Sequence, residues 1–376
     1  MRLLIASAIL THCGSAALLS ISDQSASPGQ LLASSVTLST EGTHLSALQF
    51  DLQWEEGLDL QVATGSAGRD AGKLVYSTPL TAHGLRIVIV GMNLTDIADG
   101  ELLRLFIVVN STLSTQIVSR EIKMTNALGV TGSGAAVSIR VPKATVAVDS
   151  TASGLALVPE SVLNAASLLS GAVAPGEIVT LLGAFGIDAN SSASVTANVD
   201  RVPATVLYAL GNQVNALVPF GTDPVKPADL ELRSSNRQLA RITLPTKAAV
   251  PALFTASGTG IGPGAILNES YSVNAPERPA LRGSIVMMYG TGFGALSPAA
   301  VDGQTGGFSA TAVPVIARIG GVKAEVIYAG SAPGLAPGLT QINVRIPNDV
   351  VPGDALAVSL SIGSVSIPEG VSVAVR

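Results

Sequence analysis

Residues 175–219 and 282–347 carry one pattern written twice, and that duplication limits what the chain can fold into. The first copy reads PGEIVTLLGAFG and then VPATVLYALGNQVNALVP. The second reads RGSIVMMYGTGFG and then VKAEVIYAGSAPGLAPGLTQINVRIP. Gly176 matches Gly283 and Gly183 matches Gly290, each 107 apart; Tyr208 matches Tyr328 at 120; Gln213, Asn215 and Pro219 match Gln341, Asn343 and Pro347 at 128. The offset grows by 13 (120 − 107) before Tyr328 and by 8 (128 − 120) before Gln341. Both insertions are rich in Gly, Pro and Ala, so they read as longer loops on an unchanged frame. A unit of about a hundred residues is a domain rather than a solenoid repeat.

Apolar residues make up 47% of the 376 and charged residues 12%, enough to bury a core in each of two or three domains. The 39 Gly and 21 Pro punctuate short runs enriched in Val, Ile and Thr. That is the pattern of many short strands joined by tight turns, an all-β chain. A net charge of −5 argues against nucleic acid, whose phosphates need clustered Lys and Arg.

The chain opens MRLLIASAILTHCGSAALLS. Arg2, the apolar run Leu3–Leu10 and the small residues Ser15-Ala16-Ala17 read as a signal peptide, residues 1–17, and hence as secretion. The run is too short to span a bilayer, and no later run reaches 18 apolar residues. Cys13, the one cysteine, falls inside this leader; bulky His12 before it argues against a lipid anchor.

In residues 18–147, Leu48, Phe50, Leu52 and Trp54 alternate with Gln49, Asp51 and Gln53, the signature of a half-buried strand. Leu85, Ile87 and Ile89 alternate around Arg86. Leu102–Val109 is apolar except for Arg104, as expected of a central sandwich strand. Turns are predicted at Ser27-Pro28-Gly29, Glu41-Gly42, Glu56-Gly57, Asp99-Gly100 and Gly132-Ser133-Gly134. The order SISDQSASPGQLLASSVTLST, LSALQFDLQWEEGLDL, IADGELLRLFIVV, VSREIKMTNALGV and AAVSIRV is similar to cohesin modules. That resemblance implies a jelly-roll sandwich that recognises a dockerin-type protein and is tied to extracellular polysaccharide degradation. The chain departs from it at Trp54-Glu55-Glu56-Gly57, where an aspartate-bearing turn is usual.

Residues 148–159, DSTASGLALVPE, read as a linker. The phrases VLNAASLLSGAVAPGEIVTLLGAFG, QVNALVPF, VPALFTASGTGIGPGAILNESYSVN, ERPALRGSIVMMYGTGFG and PGLTQINVRIPNDVVPGD then follow. They resemble the C-terminal module of large secreted acidobacterial proteins, a family of unknown function. Each half also looks like an Ig-like TIG domain, which implies one sandwich over 160–250 and another over 251–376.

No catalytic set is legible. Without the leader only His44 and His83 remain, neither in H-E-x-x-H, so a three-histidine zinc site is excluded in that chain. No G-x-S-x-G elbow occurs. Gly290-Thr291-Gly292-Phe293-Gly294 has the wrong spacing for a dinucleotide loop; like Gly183-Ala184-Phe185-Gly186, it reads as a hairpin needing positive φ. Glu55-Glu56 reads as a strand-end turn, whereas a glycosidase would need two carboxylates across a cleft. A structural calcium ion would draw on scattered oxygens at Asp188, Asn190, Asn93, Asp96 and Asp302, with no EF-hand spacing.

Aromatic residues are only 3%, which disfavours sugar stacking and favours protein partners. Trp54 shares parity with the core side of its strand. The matched Tyr208 and Tyr328, and Phe185 and Phe293, read as structural, leaving Tyr76 and Tyr271 for exposure. Gln213/Asn215 and Gln341/Asn343 share a strand face, and their amides are expected to bond a neighbouring loop. The expectation is therefore an all-β protein of three sandwiches, a cohesin-like jelly roll and two Ig/TIG-like units. It would be secreted and non-catalytic, and would bind a dockerin-like protein with no cofactor. Direct carbohydrate binding and a structural cell-surface or adhesion role are the alternatives.

Overall fold

A computed structural model describes residues 17–26, 28–91, 93–110, 118–148, 159–188, 192–235 and 237–376. Signal-peptide residues 1–16, linker residues 149–158, Ser27 of the first predicted turn and Asn190 lie outside them. Three separate hydrophobic cores organise the chain, drawn from residues 17–148, 162–244 and 249–375. The fold is all-β, in three sandwiches.

The first sandwich contains β1 (Ala17–Ser20), β2 (Gln24–Ala26), β3 (Leu31–Ser39), β4 (Ala47–Trp54), β5 (Leu58–Thr64), β6 (Leu74–Thr81), β7 (Gly84–Val90), β8 (Gly100–Val109), β9 (Val118–Val130), β10 (Ala136–Arg140) and β11 (Ala144–Val148). One layer runs β5-β8-β3-β1 and the other β10-β9-β4-β7-β6, and a short parallel pairing of β1 with β10 joins them. Period-two alternation sets the inner face: Leu48, Phe50, Leu52 and Trp54 of β4 and Ile87 and Ile89 of β7 are buried. The Glu41-Gly42 turn, closed by Thr43 N–H on Thr40 O, has positive φ at both residues, as a type I′ turn requires, and carries the chain from β3 in one layer to β4 in the other.

The second sandwich contains β12 (Val162–Asn164), β13 (Ile178–Ile187), β14 (Val195–Val199), β15 (Val202–Ala204), β16 (Val206–Leu217), β17 (Ala228–Ser234) and β18 (Arg237–Leu244). Its layers are β12-β13-β16 and β15-β14-β17-β18. The third contains β19 (Ala252–Leu253), β20 (Gly262–Pro263), β21 (Ile266–Asn268), β22 (Ile285–Thr291), β23 (Leu296–Ser297), β24 (Ala310–Thr311), β25 (Val315–Ile319), β26 (Val322–Ser331), β27 (Thr340–Arg345), β28 (Gly353–Ile362), β29 (Val365–Ser366) and β30 (Val371–Val375). Here β26 serves both layers, pairing with β25 at one end and β27 at the other.

The duplication is visible in backbone geometry even where residue types differ. The β14–β15 hairpin turns at Asp200 and Arg201, φ 50° and 68°; the β25–β26 hairpin turns at Gly320 and Gly321, φ 56° and 82°. The frame is not unchanged by the insertions, however. In the first copy Tyr208 and Gln213 lie on the single strand β16. In the second, the 8-residue insertion lets the chain fold back, so Ser331 pairs with Thr340 and one strand becomes the β26–β27 hairpin.

The sandwiches are packed together. Leu31, Ala63, Phe106 and Val108, on the outer face of β5-β8-β3, form one buried cluster with Leu163 and Leu182 of the second sandwich. This explains the unbroken apolar run of β8: Leu103, Leu105 and Ile107 face the first core, while Phe106 and Val108 face the next sandwich. Arg104, the interruption, is held by Glu101 (Nε–Oε1 3.1 Å) and donates across the junction to Ser170 Oγ at 3.2 Å. Between the copies, Ile178 N–H donates to Thr291 Oγ1 (2.8 Å), whose hydroxyl donates to Gly338 O (3.0 Å).

Candidate binding face

The outer face of β6-β7-β4-β9 offers a built, open surface. Residues alternate across these strands, so whatever does not enter the core stands in cross-strand rows on the outside. One row runs Tyr76–Val88–Gln49–Leu128 and the next Thr78–Arg86–Asp51–Thr125. Tyr76 is exposed, while Val88, Gln49 and Leu128 are half-buried. The face thus has a largely apolar row, Tyr76, Val88 and Leu128 around Gln49, beside a polar row.

The polar row is locked by a three-residue network. Arg86 donates from Nε to Asp51 Oδ1 (2.7 Å) and from Nη2 to Asp51 Oδ2 (2.9 Å); Asn126 Nδ2 donates to the same Oδ2 at 2.7 Å. Asn126 stands exposed on the outer face beside Asp51 because β9 bulges there: its φ is 52°, a left-handed conformation Asn tolerates, and the β4–β9 register shifts between Gln49 and Asp51. The hydrogen bond from Arg86 holds the Asp51 carboxyl below its ordinary range, opposed by burial, and Asn126 adds to the lowering. Asp51 is only 3% exposed, so its charge depends on these partners.

Of the oxygens named for calcium, those of Asn93, Asp96 and Asp302 are engaged by protein donors. Asn93 Oδ1 accepts from Lys73 Nζ at 2.8 Å, and Asp96 accepts from His44 Nδ1 (2.6 Å) and Ser46 Oγ (3.3 Å). Asp302 Oδ1 accepts from Phe220 N–H at 2.9 Å, tying the two copies. Lys73 is fully buried, and burial pushes its ammonium pKa down. Among the described residues no group of three or more His, Cys, Asp or Glu could hold a metal.

The remaining sequence candidates fall as follows. Trp54 is buried, its ring edge-on to His83 at 6.4 Å between centroids. Tyr76 and Tyr271 are exposed. The matched tyrosines differ: Tyr328 is half-buried and donates to Ser331 O (2.6 Å), whereas Tyr208 is exposed, because the fold-back around Tyr328 has no counterpart in β16. The two amide pairs bond within themselves, not to a loop: Gln213 Nε2 to Asn215 Oδ1 and Gln341 Nε2 to Asn343 Oδ1, both 2.9 Å. The Gly290–Gly294 segment is not a hairpin either. Gly292 and Gly294 have positive φ, and a Cβ on Gly292 would run into Val250 O. The glycines admit the close crossing of the preceding segment; the first copy instead runs on within β13 to Ile187.

Two acidic features were not legible. A cleft of about 580 Å³ between the first and second sandwiches is lined by Glu56, Asp59 and Asp188 with Asn110, Asn212 and His83. Asp59 is engaged across it by Asn212 Nδ2 at 3.1 Å. Glu177 is 1% exposed and accepts from Asn164 Nδ2 (2.9 Å) and Ala174 N–H (2.7 Å). Burial pushes its carboxyl up to about 8, against these two donors. PGEIV gave no sign of this, since the desolvation comes from a tertiary junction where Asn164 also reaches Val250 O at 3.0 Å.

No protein-family model and no curated protein matches the chain. Among solved structures, the sixth cohesin of Acetivibrio cellulolyticus scaffoldin B, in complex with a Cel5 dockerin mutant, is similar at 18% identity and TM-score 0.33; the match covers 36% of this chain and 100% of that one. A non-cellulosomal cohesin from Archaeoglobus fulgidus is 16% identical, TM-score 0.32, over 36% of this chain and 94% of its own. A Clostridium thermocellum OlpA cohesin, solved with Doc918, is 10% identical, TM-score 0.32, over 36% and 99%. The matched part is N-terminal. No described helix is long and apolar enough to cross a membrane.

Proposed function

We propose that the first sandwich is a non-catalytic protein-recognition module that docks a dockerin-type partner on the outer face of β6-β7-β4-β9. The observation that carries this reading is the pair of rows themselves. An apolar strip with an exposed tyrosine lies against a charged centre that is already neutralised and rigid, so docking need not strand a charge. Main-chain rigidity sets the geometry and a few side chains supply the energy. The second and third sandwiches are spacer or attachment units in a secreted chain, and any link to polysaccharide degradation comes through the partner. The test is binding of purified dockerin modules to the full chain. A Val88→Asp substitution, which places an unpaired carboxylate mid-face, is expected to weaken binding at least about thirtyfold, the equivalent of about 2 kcal/mol.

A second reading, direct carbohydrate binding, is favoured by one observation, the exposed Tyr76 ring beside Val88. Retention of the full chain on an insoluble polysaccharide, lost in Tyr76→Ala, would select it over the first.

A further inference from the structure

Among the described residues Lys73 is the one cationic side chain with no exposed surface. It immediately precedes β6, and Asn93 lies just beyond β7, so the two meet at the open end of the β6–β7 hairpin, past its last pair, Leu74 with Val90. Lys73 Nζ donates to Asn93 Oδ1 at 2.8 Å and to Asn93 O at 2.9 Å. Glycines make the approach possible: a Cβ on Gly91 would come within 3.1 Å of Lys73 Cδ, and one on Gly72 within 3.0 Å of Asn93 Nδ2. A carbonyl bond is about 1.2 Å long, so the amine nitrogen lies within about 4 Å of Asn93 Cγ, close to attack distance.

The amide is held for the same chemistry. Oδ1 also accepts from Thr95 N–H at 3.0 Å, so two donors polarise the carbonyl. Nδ2 donates to Gly72 O at 3.2 Å, which orients the nitrogen that would depart. Burial drives the amine towards its neutral form, the nucleophile, and the charge of Asp96 opposes this.

We infer that Lys73 and Asn93 join in an intramolecular isopeptide bond. The bond from Lys73 Nζ to Asn93 Cγ forms, and the Cγ–Nδ2 bond breaks. The lysine ammonium gives up two protons and the departing nitrogen takes two, so it leaves as an ammonium ion with no oxidant or reductant. Asp96, the carboxylate whose charge reaches the amine, passes the protons. Asn93 is exposed, so the released ammonium escapes to solvent. β6 is an edge strand bonded only to β7, and the new bond closes the free end of that hairpin.

Intact-mass spectrometry of the full chain tests this. The expected result is a mass about 17 Da below that of its own sequence, with a digest yielding one branched peptide that joins Lys73 to Asn93. Lys73→Met and Asn93→Ala should each restore the full sequence mass. A wild-type chain without the deficit overturns the inference, whatever the variants do and whether or not they fold. So does a deficit that persists in Lys73→Met, which would mark a succinimide at an asparagine instead. The measurement needs no partner, so it can fail or succeed independently of the docking reading.

Discussion

At the scale of single residues, two buried carboxylates behave in opposite ways, and pH separates them. Asp51 is held low by Arg86, so its stabilising effect is present above its ordinary value of 3.8 and is lost as pH falls through its lowered folded value. Arg86 is 40% exposed, which discounts the buried-pair figure. Arg86→Met should cost about 1–3 kcal/mol in urea unfolding at pH 7 by leaving Asp51 unpaired. Glu177 is the reverse case. Its folded value is raised from 4.5 to about 8, so the folded chain holds a proton that the unfolded chain releases in that window. Stability from this group is full below 4.5 and falls by about 1.4 kcal/mol per pH unit towards 8. Glu177→Gln should flatten that slope in denaturant titrations from pH 5 to 8; an unchanged slope would mean Glu177 is ionised when folded. Alternation in the sequence placed Trp54 inward and Asp51 outward. What local sequence could not supply was the company each keeps across strands, because Arg86 and Asn126 are 35 and 75 residues from Asp51.

At the scale of elements, β8 shows both the reach and the limit of reading patterns. Its apolar run was legible as a central strand, yet what buries its second face is another sandwich. Phe106→Ala should therefore cost about 3–5 kcal/mol and loosen the junction with the second sandwich before the first core unfolds, detectable as early hydrogen exchange in β12 and β13. The repeat shows a different limit. Eight inserted residues looked like a loop, but they convert the path of one strand into a hairpin, because Ser331 and Thr340 can pair only once the chain has room to reverse. The same insertion packs Gly338 against Leu217 and Ile178 of the first copy. Gly292→Ala combines positive φ with a clash against Val250 O, and should cost at least about 2 kcal/mol in thermal unfolding.

At the scale of the whole molecule, three cores, each with its own pair of sheet layers, are arranged so that one sheet face of the first sandwich is consumed inside the chain and the other is left open apart from its margin at Leu74, which meets Gly262 of the third sandwich. The spacing of strands and turns made the all-β class legible. The choice of which face stays open was not, since it depends on how rigid bodies dock. The open face is where we propose that recognition occurs. The most direct measurement is equilibrium binding of purified dockerin modules to the full chain and to two variants, Val88→Asp on the open face and Phe308→Ser on the third sandwich. We predict micromolar or tighter binding by at least one module, weakened at least about thirtyfold by Val88→Asp and untouched by Phe308→Ser. Binding that survives Val88→Asp, or none to any module, would contradict the assignment of that face.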